Sequence, residues 1–129
     1  MKQSGIPGVC DMKRTSLLKS FLCAVSGFLD AARHERSMHI HLLATVLVIA
    51  LGIWTGLEKW EWVATAICCA AVISLECANT AIEAVVDLAS PEIHPLAKKA
   101  KDCAAGAVLA AAVGAVIVGM TIFIPKLFF

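Results

Sequence analysis

Charge is what this sequence has least of. Only 16% of its 129 residues are Asp, Glu, Lys or Arg, where a soluble domain carries about a quarter. Its apolar fraction is 60%, against the usual 45–50% or so, and its mean hydropathy is +0.83. The balance points to a membrane rather than a soluble core. Net charge is +1, so no basic field draws in nucleic acid, and no basic cluster with interleaved aromatics is present. No CxxC pair has a second pair to match it. The cysteines at 10, 23, 68, 69, 77 and 103 therefore read as small thiols rather than as a disulfide framework or zinc site. There is no GxxxxGK[ST] loop, so a nucleotide would not be held by the usual P-loop. Internal repeats are absent. The first long apolar run starts near residue 40, too late for a cleavable signal.

What is there reads as helix and lipid. Gly5, Pro7 and Gly8 mark residues 1–12 as a flexible tail. Over 13–36, Leu17, Leu18, Phe21, Leu22, Val25, Phe28 and Leu29 recur at spacings of three and four, giving one apolar face. With Lys13, Arg14 and Lys19 near its start, this segment reads as an amphipathic helix on the membrane surface. Three apolar segments follow, predicted as membrane-spanning helices over 38–57, 60–88 and 102–125. A hydrocarbon core about 30 Å thick takes about 20 helical residues, and each segment is long enough. Trp54, Trp60 and Trp62 suit an interfacial belt. The expected architecture is all-α, one membrane domain over 1–129. Six basic residues precede the first span (Lys2, Lys13, Arg14, Lys19, Arg33, Arg36), and Lys98, Lys99 and Lys101 lie in the second loop. Only Lys59 and Lys126 fall on the other side, so the N-terminus and the 89–102 loop are expected in the cytoplasm.

The scarce charge is concentrated in one place. The stretch ECANTAIEAVVD, residues 76–87, ends an apolar run yet carries Glu76, Asn79, Glu83 and Asp87. At about 100° per residue these four fall within an arc of about 80°, forming one polar stripe. Measured from Trp60 and Trp62, Glu76 lies roughly 20 Å along the helix, inside the cytoplasmic third of the core, with Glu83 near the inner boundary and Asp87 just beyond it. An acid at the bilayer centre costs about 2.5–3.5 kcal/mol, so the stripe calls for cations, a metal or a polar cavity. The next loop, SPEIHPLAKKAKD, adds Glu92, His94, Lys101 and Asp102. Asp102 alone could cap the third span and Lys101 could anchor topology. Beside the acid stripe they read as a site for a metal-bound polyanion, with Glu35 on the same side as a second carboxylate for a metal held by Glu83. Mg²⁺ bridges phosphates through few carboxylates, lysine neutralises phosphate, and a deep carboxylate can take a proton from a lipid hydroxyl. His39 and His41 do not share a helical face, and the histidines read as interfacial. The third span is rich in small residues, among them Gly106, Ala110, Gly114 and Gly119, which let membrane helices approach closely.

The pattern E-x-x-N-T-A-I-E-x-x-V-D, with K-D starting fourteen residues on, strongly resembles the small prokaryotic diacylglycerol kinase family over about residues 13–125. The resemblance implies a homotrimeric, three-span enzyme with a surface helix, active sites shared between subunits, and phosphorylation of a lipid alcohol by MgATP. It implies Glu76 as general base with Asn79, Lys101 and Asp102 as catalytic neighbours. It further implies that Glu35, Glu83, Asp87, Glu92, His94, Lys101 and Asp102 hold ATP, and that Glu35 and Glu83 hold Mg²⁺. The stretches ERSMHIH and IFIPKL resemble the Gram-positive branch, which acts mainly on undecaprenol; Ser37, Met38 and Ile93 depart from patterns in that family. The expected function is thus an undecaprenol kinase of the bacterial cell membrane, the alternative a diacylglycerol kinase. A small ion-coupled transporter is the distant rival, disfavoured by three spans without an inverted repeat.

Overall fold

The computed structural model describes residues 17–128, all of them in four helices and short connections. The helices are α1 (Leu17–His34), α2 (Arg36–Thr55), α3 (Lys59–Ala89) and α4 (Pro95–Phe128). The last three are long and apolar enough to cross a membrane, with 20, 31 and 34 residues. At 1.5 Å per residue α3 and α4 reach about 46 and 51 Å, well beyond a 30 Å hydrocarbon layer. Both therefore carry their polar ends out of the lipid, and these ends bear the charges.

The hairpin α3–α4 is the spine. The end away from its connecting loop, where α2 leads into α3, is fixed by several contacts. Gly56 ends α2 with φ +67°, a left-handed conformation that glycine adopts without strain. Gly52 is buried where a Cβ would stand 2.9 Å from both Leu57 and Trp62 side-chain atoms, so only glycine lets the turn fold back so tightly. A capping box follows: the Glu58 side chain accepts from the backbone of Glu61, and the Glu61 carboxylate accepts from the Glu58 N–H at 2.7 Å. That pairing satisfies two of the free donors at a helix start. Lys126, in the last turn of α4, reaches Glu61 at 3.0 Å and ties the two helices together.

At the other end α3 stops at Ala89, and Ser90–His94 lead to Pro95, the first residue of α4. Proline suits that position because its missing N–H has no partner there in any case. The fourth helix therefore starts seven residues before the sequence pattern placed the third span. Asp102 consequently cannot cap it: Asp102 lies two turns inside and pairs with Lys98 at 2.5 Å, four residues back. Within the former loop segment Lys98 and Asp102 pair at i,i+4 along one helical face, while Lys101 turns to Asp87 of α3.

The apolar side of α1 has few partners among the described residues, with Leu17, Leu18 and Phe21 exposed at 92, 68 and 65%. Most lipid-length side chains of α2–α4 are similarly open, Ile53, Ile67 and Leu109 among them. Cys68, Cys69, Cys77 and Cys103 are free thiols. Cys23 is disulfide-bonded, contrary to the reading of all six as thiols, and Cys10 lies outside the described residues.

Candidate active site

Glu76 sits on α3 at the level of the N-terminal turns of α2, and only 3% of it is exposed. Two residues of α2 face it. The Ser37 hydroxyl donates to Glu76 Oε1, and His41 Nε2 lies 3.9 Å from Oε2. Ser37 and His41 are four apart, hence on one helical face. Met38, next to Ser37 in the chain, is the one large side chain without any exposure among the described residues. The acid is thus buried by protein rather than by lipid, and its two oxygens are treated differently. One is held by a hydroxyl; the other faces an imidazole at a distance beyond a hydrogen bond.

One turn along α3, Asn79 donates through Nδ2 to Glu83 Oε1 at 3.2 Å. Its own Oδ1 is buried without a partner. Such an orphaned acceptor costs roughly 1–3 kcal/mol, and this one lies within the polar stripe. Another turn on, Asp87 Oδ1 meets Lys101 Nζ of α4 at 2.6 Å. Asp87, Glu92, His94, Lys98, Lys101 and Asp102 together line a pocket of about 280 Å³ at the α3–α4 connection. Five residues singled out in the sequence thereby meet in one place.

Within that pocket some groups are already engaged. His94 Nδ1 accepts from the Leu96 N–H at 3.2 Å, so this ring caps the start of α4 and orients the loop. The Ser90 hydroxyl donates to the Glu92 carbonyl, which tightens the turn and leaves the Glu92 side chain exposed. The pocket offers carboxylate oxygens and two ammonium groups, a mixture that suits phosphate accompanied by a cation.

Glu35 stands apart. It occupies the N-cap position of α2, its side chain makes no capping bond, and among the described residues it forms no ion pair. It is joined to no other member of the stripe. Likewise no group of three or more potential metal ligands is assembled among the described residues. The donor chemistry nevertheless fits a hard cation. Glu35 and Glu83 are carboxylates with oxygen atoms to spare, the orphaned Asn79 Oδ1 lies beside Glu83, and Mg²⁺ accepts one or two carboxylates with phosphate and water completing its shell.

Sequence reasoning missed Ser37 and His41 as partners of Glu76. Their spacing of four in a mostly apolar helix was the available signal, but nothing in one sequence tells which stripe a polar pair will face. The buried Glu61–Lys126 pair at the opposite end was missed for the same reason.

A model of the family described as prokaryotic diacylglycerol kinase matches residues 22–123. The chain is 45% identical over 109 residues to the undecaprenol kinase of Bacillus subtilis, covering 84% of this chain and 89% of that protein. It is 44% identical over 113 residues to a diacylglycerol kinase of Synechocystis sp., covering 87% of this chain but 65% of that longer protein. To a diacylglycerol kinase of Pseudomonas aeruginosa it is 33% identical over 107 residues, 83% of this chain and 85% of the other. The matched region takes in the whole of α2 and α3 with the buried acid and the loop pocket. The chain belongs to the prokaryotic diacylglycerol kinase family.

Proposed function

We propose that this protein is an integral membrane kinase that transfers the γ-phosphate of MgATP to the hydroxyl of a lipid alcohol, undecaprenol first among them, giving undecaprenyl phosphate. The observation that carries the reading is Glu76: an acid 3% exposed among membrane-length helices, in a chain 45% identical to an undecaprenol kinase. An acid at that depth is costly and is explained by a substrate whose reacting group also lies at the membrane boundary.

In this reading Glu76 takes the proton of the lipid hydroxyl. The freed oxygen attacks the γ-phosphorus, the bond to the bridging oxygen breaks, and ADP leaves with the electron pair. Ser37 holds one carboxylate oxygen so that the other points at the substrate. Lys101, with Lys98, neutralises phosphate in the pocket at the α3–α4 connection, and Asp87 holds the Lys101 ammonium in place at 2.6 Å. Asn79 supports Glu83. Mg²⁺, held by Glu83 and Glu35, would screen the phosphate charges. Asp102, Glu92 and His94 border the nucleotide.

Further parts of the proposal concern assembly and placement. Among the described residues Glu35 has no ligand partner, and the orphaned Asn79 Oδ1 asks for one; both fit a homotrimer whose active sites are shared between subunits. The largely exposed apolar surfaces of α2–α4 leave room for lipid and for neighbouring chains. The first helix, α1, lies on the membrane surface with its apolar side chains in the headgroup layer. The distribution of basic residues supports an N-terminus and an α3–α4 connection in the cytoplasm, where ATP is found.

Diacylglycerol is the second reading, favoured by the names of the Synechocystis and Pseudomonas relatives. The test is direct. Purified protein in detergent with γ-labelled ATP and Mg²⁺ is offered undecaprenol and a short-chain diacylglycerol side by side. Labelled lipid phosphate, formed faster from undecaprenol, is expected. Faster labelling of diacylglycerol would reassign the substrate, and no labelled lipid from any alcohol would end the kinase reading.

A further inference from the structure

Both ammonium groups that border the pocket at the α3–α4 connection are already engaged by carboxylates. Lys101 Nζ meets Asp87 Oδ1 at 2.6 Å, and Lys98 Nζ meets Asp102 Oδ2 at 2.5 Å. The reaction scheme gives both lysines to phosphate, yet in this arrangement neither is free to take it.

The two pairs are not alike. Lys98 and Asp102 stand four apart on one helix, with side chains 74 and 62% exposed, and a pair so wet contributes little. Lys101 is half as exposed, at 36%, and reaches from the second turn of α4 to Asp87 near the end of α3. The negative charge of Glu83, one turn earlier on α3, acts on the same ammonium. Glu83 is held by Asn79 through Oε1 at 3.2 Å, and its Oε2 has no hydrogen-bond partner among the described residues. Lys101 is thus one positive charge shared by two carboxylates, beside the acid that the proposed function gives to Mg²⁺.

We propose that Lys101 is an exchangeable counter-ion that makes the binding of nucleotide and of divalent cation depend on each other. This deepens the lipid-kinase reading and rests on it. Asp87 keeps the ammonium beside the pocket until phosphate is there to receive it. With phosphate alone, Lys101 has to leave Asp87, and Asp87 then faces phosphate as one anion faces another. With a divalent cation alone, Glu83 and Asp87 already have a positive neighbour, and the two positive charges repel. With both, Lys101 turns to phosphate, and Glu83 and Asp87 keep their charge for the cation. Each ligand removes the repulsion that the other meets, and by linkage the help is mutual. The alternative use for such a pair is a plain tether between α3 and α4. A tether predicts lower stability when it is cut and no gain in affinity for either ligand by itself.

The experiment reads binding rather than turnover, on full-length protein in detergent. Mn²⁺ alone is titrated through the loss of its free-ion paramagnetic resonance signal. Radiolabelled ATP alone is titrated by equilibrium dialysis with a chelator present. Lys101→Met is expected to bind Mn²⁺ about fivefold more tightly than the wild type, because the competing charge is gone. Adding Glu83→Gln to Lys101→Met should abolish that gain, which assigns it to Glu83 rather than to other acids of the chain. Asp87→Asn is expected to bind metal-free ATP about fivefold more tightly, since Lys101 is released and one like charge is removed. Assembly mass should match the wild type; where Lys101→Met does not assemble, Lys101→Gln takes its place. Unchanged or weaker Mn²⁺ binding in the Lys101 variant would overturn the proposal, as would unchanged or weaker binding of metal-free ATP in Asp87→Asn. Either result, with a wild type that labels lipid alcohols, removes this inference alone. A wild type that labels no lipid alcohol removes the kinase reading as well.

Discussion

Helix α3 buries two glutamates, Glu61 in a closed set of contacts near its start and Glu76 in an open set past its middle, and the two environments differ in kind. Glu61 is 6% exposed and Glu76 is 3% exposed. Glu61 has everything an acid needs: the Glu58 N–H at 2.7 Å and the Lys126 ammonium at 3.0 Å. Glu76 has one neutral hydroxyl on Oε1 and an imidazole too far for a bond on Oε2. Around Glu61 the contacts close a turn. Around Glu76 they leave an oxygen to act and, one turn away, an acceptor on Asn79 with no partner. Burial alone does not distinguish the two acids; how completely their oxygens are satisfied does, and that difference is what the proposed role of Glu76 rests on.

That contrast can be broken or sharpened. The largest effect is expected at the open end. Glu76→Gln should lower steady-state turnover by about two to four decades, the range for loss of a general base, with expression and assembly mass unchanged. At the closed end, Glu61→Gln removes a charge that Lys126 depends on, so thermal unfolding in detergent should come at a lower temperature while turnover stays near wild type. Lys101→Met should raise KM for ATP about ten- to hundredfold, since a charge-assisted contact to phosphate is lost. A titration of ATP at fixed lipid reads this. Glu83→Gln should shift the magnesium concentration for half-maximal rate upward by about tenfold, one ligand oxygen pair being weakened. The smallest change belongs to Ser37→Ala, where loss of one neutral hydrogen bond should cost roughly fivefold in kcat with KM for ATP unaltered.

The open end was also the more legible one. Glu76, Asn79, Glu83 and Asp87 interrupt an apolar run at helical spacing, and a polar stripe in lipid is conspicuous because it is expensive. The three candidate spans were readable for the same reason: apolar length leaves few alternatives. What stayed hidden depends on pairings between helices. Ser37 and His41 look like ordinary interfacial residues until α2 is docked on α3. Glu61 and Lys126 are 65 residues apart in the chain, so no local pattern joins them. The start of α4 was misplaced because Lys98, Lys99 and Lys101 look like a loop, being unfavourable charges for a helix start; Pro95 at the first position and the Lys98–Asp102 and Lys101–Asp87 pairs offset them. Glu35 was expected beside Glu83; among the described residues it has no partner there, and the shared site that the resemblance implies remains part of the proposal.

The decisive measurement is a single-turnover transfer of the γ-phosphate to undecaprenol, with MgATP saturating and Glu76→Gln and Glu61→Gln run in parallel. The account predicts that the chemical step collapses in Glu76→Gln and proceeds at nearly the wild-type rate in Glu61→Gln. Transfer by Glu76→Gln at the wild-type rate would contradict it.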